Sequence, residues 1–402
     1  MPSLPPPGEV PPADGHLPAT ALEGFGTRPF EVYVHVPFCT SRCGYCDFNT
    51  YTATELGDDV RRDTFATVLA DEVTFARGIT GPSVVDTVFV GGGTPTLIGA
   101  DLLLVLDRIR DEYGLATDAE VTTEANPDSV DAALLEQLAA GGFTRISFGV
   151  QSSAPSVLRT LDRSHTAGAA ERAIREARAA GFTHVSADLI IGTPGETDDD
   201  VRRTLDLVLD AGVDHVSAYL LIVEPGTPLA RRIERGELAA PDDDVLADRY
   251  AIVDAHLIAA GMDWYEISNW SRPGAECRHN LGYWRGADWW GIGPGAHSHV
   301  GGVRWWNARH PRTYAEQLAA GASPAQGREV LTAEVRHLEA VMLGLRLAEG
   351  LPVTVLTDPE RAAVTRLAET GALDGSVLAQ GRVRVADDAR LLADGLVREI
   401  LG

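Results

Sequence analysis

The 402-residue chain contains no lysine, so all 34 of its basic residues are arginine. Without lysine the chain cannot form a Schiff base through an ε-amino group or carry the lysine of a phosphate-binding P-loop. It has no run of 18 apolar residues, so we expect no transmembrane helix. The amino-terminal residues lack the basic start and apolar core of a secretory signal peptide. These absences predict a cytoplasmic protein, in which cysteines stay reduced and serve as ligands or reactive groups.

Positive charge is also scarce. The formal net charge is −24, whereas general nucleic-acid binding depends on clustered cations that neutralise phosphates. We therefore expect no nucleic-acid partner. The hydrophobic content of 45% is ordinary for a globular protein.

Cysteine is rare, but three of the four cysteines, Cys39, Cys43 and Cys46, lie within eight residues. The C-x3-C-x2-C spacing supplies three thiolates, which can hold an iron–sulfur cube and leave one iron free to bind a small molecule. A structural zinc site would need four ligands, and the fourth cysteine, Cys277, is far away in the sequence. A disulfide would leave an odd thiol and need an oxidising compartment. The spacing therefore favours a [4Fe–4S] cluster.

Short β-branched runs alternate with segments of helical periodicity. The runs span residues 31–36, 84–90, 120–124, 145–150, 184–191 and 215–223. Such alternation predicts an α/β protein with a parallel sheet. Six units are too few for a closed eight-fold barrel, so we expect an incomplete, open (βα)6 barrel of the TIM type, with functional residues at the C-terminal ends of its strands.

The chain divides into four predicted regions. Residues 1–28 are rich in proline and are predicted to be a disordered tail. Residues 29–240 carry the barrel pattern. Residues 241–324 form a connecting segment with all seven tryptophans and several histidines, and residues 325–402 are predicted to form a small C-terminal α/β domain.

Polar or flexible residues follow the predicted strands, where a barrel builds its site. The glycine run 91–93 before Thr94 lets the backbone approach a ligand closely. A ring at Tyr45, between two cysteines, is placed to cover such a site. Each residue alone could be structural, but together they suit a polar cofactor. The remaining candidates are Glu124, Gln151, Arg163 and Asp188.

These motifs together resemble the radical S-adenosylmethionine (SAM) enzymes. Within them, the chain is similar to the coproporphyrinogen III oxidase-like group (HemN and HemW types). The resemblance covers residues 30–400 and rests on the cysteine motif with residues 33–38 before it, the glycine run, residues 148–151 and 188–195, and an H-N-x-x-Y-W motif at 279–284.

The resemblance implies a [4Fe–4S] cluster whose open iron is chelated by SAM and whose electron cleaves SAM. It implies that the cysteines bind the cluster and that Tyr33, Gly92, Gly93, Thr94 and Glu124 contact SAM. Gln151, Arg163 and Asp188 match positions that bind a second SAM in the oxidase. In this chain we expect Gln151, Arg163 and Asp188 to line the cavity that holds SAM.

Two departures point from the oxidase to the haem chaperones of the HemW type. The oxidase has a further cysteine where this chain has Phe48, and a longer ordered segment before its first cluster cysteine. The aromatic-rich region and His279 would suit haem as cargo, with His279 as its iron ligand, although tryptophan clusters commonly serve packing. The alternative function is oxygen-independent oxidation of coproporphyrinogen III. Expected partners are haem-accepting proteins, a flavodoxin-like reductant and a second copy in a homodimer.

Overall fold

The structure, a computed structural model, describes residues 8–57, 60–163 and 166–402. Its strands are β1 (Phe30–Val36), β2 (Phe38–Cys39), β3 (Tyr51–Thr52), β4 (Val85–Gly92), β5 (Leu115–Ala125), β6 (Arg145–Gln151), β7 (His184–Ile191), β8 (His215–Leu220), β9 (Asp263–Glu266), β10 (Asn269–Ser271), β11 (Asp288–Ile292), β12 (His297–Val300), β13 (Val303–Asn307), β14 (Ala325–Val330), β15 (Leu351–Pro352) and β16 (Arg382–Val383).

Helices cover the sheet and build the C-terminal unit. They are α1 (Ala19–Leu22), α2 (Ala53–Leu56), α3 (Arg62–Thr80), α4 (Leu102–Tyr113), α5 (Ala132–Ala140), α6 (Pro155–Thr160), α7 (Ala169–Ala180), α8 (Asp198–Ala211), α9 (Pro228–Glu234), α10 (Asp243–Ala259), α11 (Arg278–Arg285), α12 (Pro311–Ala319), α13 (Ala333–Gly344), α14 (Asp358–Glu369), α15 (Gly375–Leu378) and α16 (Ala393–Leu401). Within the described part of the chain, no helix is both long enough and apolar enough to cross a membrane.

Six neighbouring parallel strands form the barrel core, in the order β1-β4-β5-β6-β7-β8. Their β-branched side chains suit strands that are buried on both faces, and β1 is almost wholly buried. Glycines in the left-handed conformation end α7 and α8, at Gly181 and Gly212. The predicted (βα)6 architecture is confirmed.

The sheet continues beyond the barrel core on both sides. Strand β11 pairs in parallel with β1, and β12, β13 and β14 follow antiparallel, while β10 and β9 extend the other side to make twelve strands. Residues 241–324 are therefore largely part of the main sheet rather than a separate connecting segment. Their tryptophans mainly pack its core: Trp270, Trp290 and Trp305 are buried.

Helix α11 lies at the N-terminal end of the barrel strands. On this helix the imidazole of His279 bonds the Thr87 hydroxyl, and the backbone N–H of His279 donates to the Glu120 carboxylate. Thr87 and Glu120 are register partners on β4 and β5. An added Cβ on Gly282 would lie 1.7 Å from Oε1 of Glu31 on β1. The helix therefore packs tightly against the end of the barrel opposite the expected site.

The amino-terminal tail differs from its prediction. Residues 1–7 lie outside the described residues, but residues 8–28 have a defined structure. Glu9 forms an antiparallel bridge with Arg328 on β14, Leu17 is buried, and Arg28 forms an ion pair with Asp288 at 2.6 Å. This segment is ordered by tertiary contacts with the sheet, so the prediction of disorder there was wrong.

A second hydrophobic core lies near the carboxyl terminus and contains Val341, Val364 and Val397. It begins on α13, because the preceding strand β14 belongs to the main sheet. The smaller unit therefore starts after residue 330 rather than at 325. It touches the far side of the main sheet through a bridge between Leu347 and Glu266 on β9.

Candidate functional site

One cavity of about 520 Å³ runs into the barrel, and every residue singled out from the sequence lines it. These are Tyr33, Cys39, Cys43, Tyr45, Cys46, Gly92, Gly93, Thr94, Glu124, Gln151, Arg163, Asp188 and His279. Most follow or end a strand at the C-terminal end of the barrel, as the fold requires for a binding site.

The three clustered cysteines are free and partly buried on the segment that follows β1. Burial raises the pKa of Cys39 and raises that of Cys46 to about 12. Both thiols therefore keep their protons until a metal cation displaces them. Arg163 donates a hydrogen bond to Sγ of Cys43 at 3.4 Å.

Gly93 lies directly against the cysteine segment. Its N–H donates to the carbonyl of Val36 at 2.9 Å, and the N–H of Thr94 donates to the carbonyl of Phe38 at 2.7 Å. A Cβ on Gly93 would lie 2.4 Å from that Phe38 oxygen and 2.9 Å from Sγ of Cys39. Glycine is therefore required sterically beside the first cysteine.

The donor set fits a cluster better than a single ion. Structural zinc takes four ligands, but only three of the free thiols lie on this segment, and Cys277 is buried against Glu120. In an iron–sulfur cube each cysteine binds a different iron, so the thiolates need not converge. Three free thiols on one segment and the glycine beside them fit a [4Fe–4S] group.

Tyr33 reaches the cavity from β1 and belongs to a chain of hydrogen bonds. Nε2 of His35 lies 2.9 Å from the carbonyl of Asn49, so it carries the proton and donates. Nδ1 of His35 then accepts from the Tyr33 hydroxyl at 3.0 Å. The Asn49 side chain donates to the carbonyls of Pro294 and Arg309, which anchors the end of the cysteine segment.

Glu124 ends β5 and accepts a hydrogen bond from the N–H of Gly92 at 3.1 Å. Burial and the nearby Asp188 raise the pKa of Glu124 to about 8. A carboxyl group in this position gains by accepting from an ammonium or hydroxyl group of a ligand. Gly92 has a φ of 111°, which favours glycine.

Gln151, Arg163 and Asp188 meet on the opposite wall. Gln151 has a φ of 67°, an uncommon conformation for a residue other than glycine and one that often marks functional sites. Arg163 donates to the carbonyl of Gly149 at 3.0 Å. Asp188 accepts from Ser147 at 2.9 Å, and burial raises its pKa to about 6.

Tyr45 packs in a small apolar cluster with Ile190, Leu221 and Leu229. The N–H of Leu229 donates to the carbonyl of Gly44 at 2.8 Å, so the segment after β8 is tied to the cysteine segment. The Tyr45 ring therefore lines the cavity and also joins its two walls.

His279 lies on the floor of the cavity and is 1% exposed. Its Nδ1 is 2.7 Å from the Thr87 hydroxyl, and its Nε2 is 2.9 Å from the Tyr283 hydroxyl. Its ring stacks on Phe89, and burial lowers its pKa to about 3. Burial also raises the pKa of the nearby Glu31 carboxyl to about 9. Both nitrogens of His279 are thus engaged within the protein.

The sequence reasoning missed His35 and Asn49. His35 could have been found, because residues two apart on a strand share a face and Tyr33 was already a candidate. Asn49 gives no comparable signal, since its partners Pro294 and Arg309 are remote in sequence.

Comparisons with known proteins show which family the chain is similar to. Residues 33–208 match the radical SAM superfamily. Proteins named heme chaperone HemW from Mycobacterium tuberculosis and Escherichia coli are 55% and 35% identical, covering 93% and 81% of this chain and 95% and 84% of theirs. The fold matches that of coproporphyrinogen III oxidase (HemN) from Escherichia coli with a TM-score of 0.81, 22% identity, and coverage of 96% of this chain and 94% of that one.

The high identity extends beyond the superfamily core to nearly the whole chain. The 55% identical relative aligns over 376 of the 402 residues, whereas the superfamily match spans residues 33–208. The chain therefore belongs to the HemW family of radical SAM proteins.

Proposed function

We propose that this protein is a haem chaperone that binds a [4Fe–4S] cluster, SAM and haem and delivers haem to haem-accepting proteins. The observation that carries the proposal is the 55% identity, over 93% of the chain, to a protein named heme chaperone HemW. The cavity supports it by gathering three free thiols and a ring of polar side chains at one end of the barrel.

Cys39, Cys43 and Cys46 would hold the cluster, and Tyr33, Tyr45, Gly92, Gly93, Thr94 and Glu124 would contact SAM. When bound, the cluster supplies an iron without a protein ligand and an electron for reductive cleavage of SAM. Glu124 would accept from an amino or hydroxyl group, and Gln151, Arg163 and Asp188 would complete the polar wall.

The second candidate function is oxidative decarboxylation of coproporphyrinogen III. The fold is the same as that of the oxidase, but at 22% identity this likeness concerns the fold alone. Phe48, two residues after the third cysteine, stands where the oxidase has an additional cysteine. An exposed aromatic ring offers apolar contact rather than a ligand, and this favours the chaperone.

The assignment of His279 as the haem iron ligand stays a prediction. Ligation would require its hydrogen bond with Tyr283 or Thr87 to break, and α11 to move from the barrel end. A variant at this position therefore belongs in the first experiment.

We place the protein in the reducing cytoplasm, where its four free thiols stay available. A flavodoxin-like protein would supply the electron. Haem-accepting proteins such as respiratory enzymes would be the receivers, and two copies would associate as a homodimer.

The test is haem titration of the anaerobically reconstituted protein, followed by absorbance. Stoichiometric binding, transfer to an apo-acceptor, and no turnover of coproporphyrinogen III with SAM and a reductant are expected. If the protein produced protoporphyrinogen IX and did not bind haem, the oxidase function would be supported and the chaperone function rejected. His279→Ala should abolish binding if His279 is the ligand, and exposed His16→Ala is the matched control.

A further inference from the structure

Exposed apolar side chains lie at the opening of the cavity, among charged ones. Phe48 is an exposed aromatic side chain that lines this cavity, whereas Tyr219, also partly exposed, points into the barrel toward Ser217 and Asp188. Ile222, which is 71% exposed, lines it as well, and Phe48 is 57% exposed. Exposed apolar side chains gathered at one opening mark a binding surface.

The two segments that carry these side chains are held together. Phe48 follows the third cysteine, and Ile222 lies on the loop after β8. The bond from Leu229 to Gly44 and the apolar contacts of Tyr45 with Leu221 fix one segment to the other. The opening is therefore a pre-formed surface rather than two independent loops.

The cavity volume restricts where haem can bind. A volume of about 520 Å³ lies in the range of ~300–1,000 Å³ that holds one drug-sized ligand. Once the cluster and SAM occupy it, no space remains for a macrocycle as well. A haem bound together with SAM must therefore lie outside the barrel, at the opening.

Charge at the opening gives the haem an orientation. The guanidinium of Arg42 lines the cavity, its side chain is 47% exposed, and its ion pair with Glu55 is long at 3.6 Å. Its Nη2 donates to the Thr50 carbonyl and the guanidinium lies over the Tyr51 ring, so a haem carboxylate would bind at Nη1 in place of Glu55. Asp47 and Glu224 also line the cavity and would repel carboxylates, so the propionates should point toward Arg42.

We propose that Phe48 and Ile222 form the platform on which the haem macrocycle rests, across the mouth of the barrel and over bound SAM. This inference rests on the proposed haem function and gives that function a site distinct from His279. Flat aromatic and aliphatic contact supplies the affinity, while Arg42 sets the orientation. Haem on this platform covers the route by which SAM leaves.

The experiment titrates haem into cluster-reconstituted, SAM-saturated Phe48→Ala/Ile222→Ala protein. The control is Val84→Ala/Ile258→Ala, which removes two apolar side chains that are also at least half exposed but do not line the cavity. We expect the mouth variant to bind haem about tenfold more weakly or worse and the control to bind like the wild type. Iron content and thermal midpoint should match the wild type in both, because all four side chains are exposed.

A second measurement uses the same proteins. Haem should slow the dissociation of labelled SAM from the wild type and the control but not from the mouth variant. Unchanged haem affinity in the mouth variant, or an equal loss in the control, would overturn the platform. The platform would also be overturned if the wild-type protein were a dimer and the mouth variant a monomer, with or without haem. Phe48 and Ile222 would then belong to an interface between two copies. Wild-type protein that binds no haem would overturn the proposed function itself.

Discussion

Replacing Gly93 with alanine tests whether the backbone beside Cys39 is built for a cluster. The new Cβ would lie 2.4 Å from the Phe38 carbonyl oxygen, about 1 Å inside ordinary contact distance, and 2.9 Å from Sγ of Cys39. The backbone cannot easily separate there, since Gly93 and Thr94 donate hydrogen bonds to the carbonyls of Val36 and Phe38 on either side of Pro37. The Cys39 sulfur must therefore move.

The size of this effect separates folding from cluster binding. Overpacking of this kind costs roughly 1–3 kcal/mol, which a domain with a typical stability of ~5–15 kcal/mol can absorb. Metal–ligand distances, in contrast, tolerate deviations of only about 0.2 Å. We expect Gly93→Ala to fold yet to retain less than half of the wild-type iron and sulfide after anaerobic reconstitution.

The matched control is Gly78→Ala on α3, where an added Cβ meets nothing within 4 Å. That variant should keep a full cluster and gain slightly in thermal stability, because alanine favours a helix over glycine. A complete cluster in Gly93→Ala, or an equal loss in both variants, would refute the argument from sterics.

Three further predictions concern the walls and floor of the cavity. Arg163→Gln removes the cation that donates to Cys43, so the midpoint potential of the cluster should fall by on the order of tens of millivolts in a spectroelectrochemical titration; an unchanged potential contradicts this. Burial lowers the pKa of His279 from 6.5 to about 3, so between these values the unfolded chain binds a proton that the folded chain does not. Stability from His279 is therefore present above pH 6.5 and is lost on acidification by about 1.4 kcal/mol per pH unit, and denaturant titrations of His279→Gln should lack that part of the slope. Gly282→Ala places a Cβ 1.7 Å from Oε1 of Glu31 and should lower the free energy of unfolding by about 1–3 kcal/mol, with wild-type stability as the contrary result.

The sequence predicted the barrel core well because its signals are local. The predicted run 145–150 became β6 (Arg145–Gln151), and the run 184–191 became β7 with the same bounds. Each run is β-branched and is bounded by a helix that ends in glycine. The site residues followed from the same logic, since the ends of parallel strands meet at one end of a barrel.

What the sequence did not predict depends on contacts between distant residues. No local sequence signal indicates that β11 pairs with β1. None indicates either that α11 packs against the N-terminal end of the barrel, where hydrogen bonds engage both ring nitrogens of His279. Residues 8–28 carry the composition of a disordered tail, yet Glu9 pairs with Arg328. Composition indicates whether a segment would be ordered by itself, but it does not show whether the segment can pair with a strand elsewhere in the chain.

The two edges of the main sheet share a feature that bears on self-association. At one edge Glu9 forms a single bridge with Arg328 on β14, and at the other Leu347 forms a single bridge with Glu266 on β9. An uncovered edge strand is a template for pairing with another chain and hence for aggregation. Segments outside the sheet thus pair with both of its edge strands. A protein shortened to begin at residue 28 would lose the bridge from Glu9 and present β14 to its neighbours, so the segment around Glu9 guards this edge against aggregation.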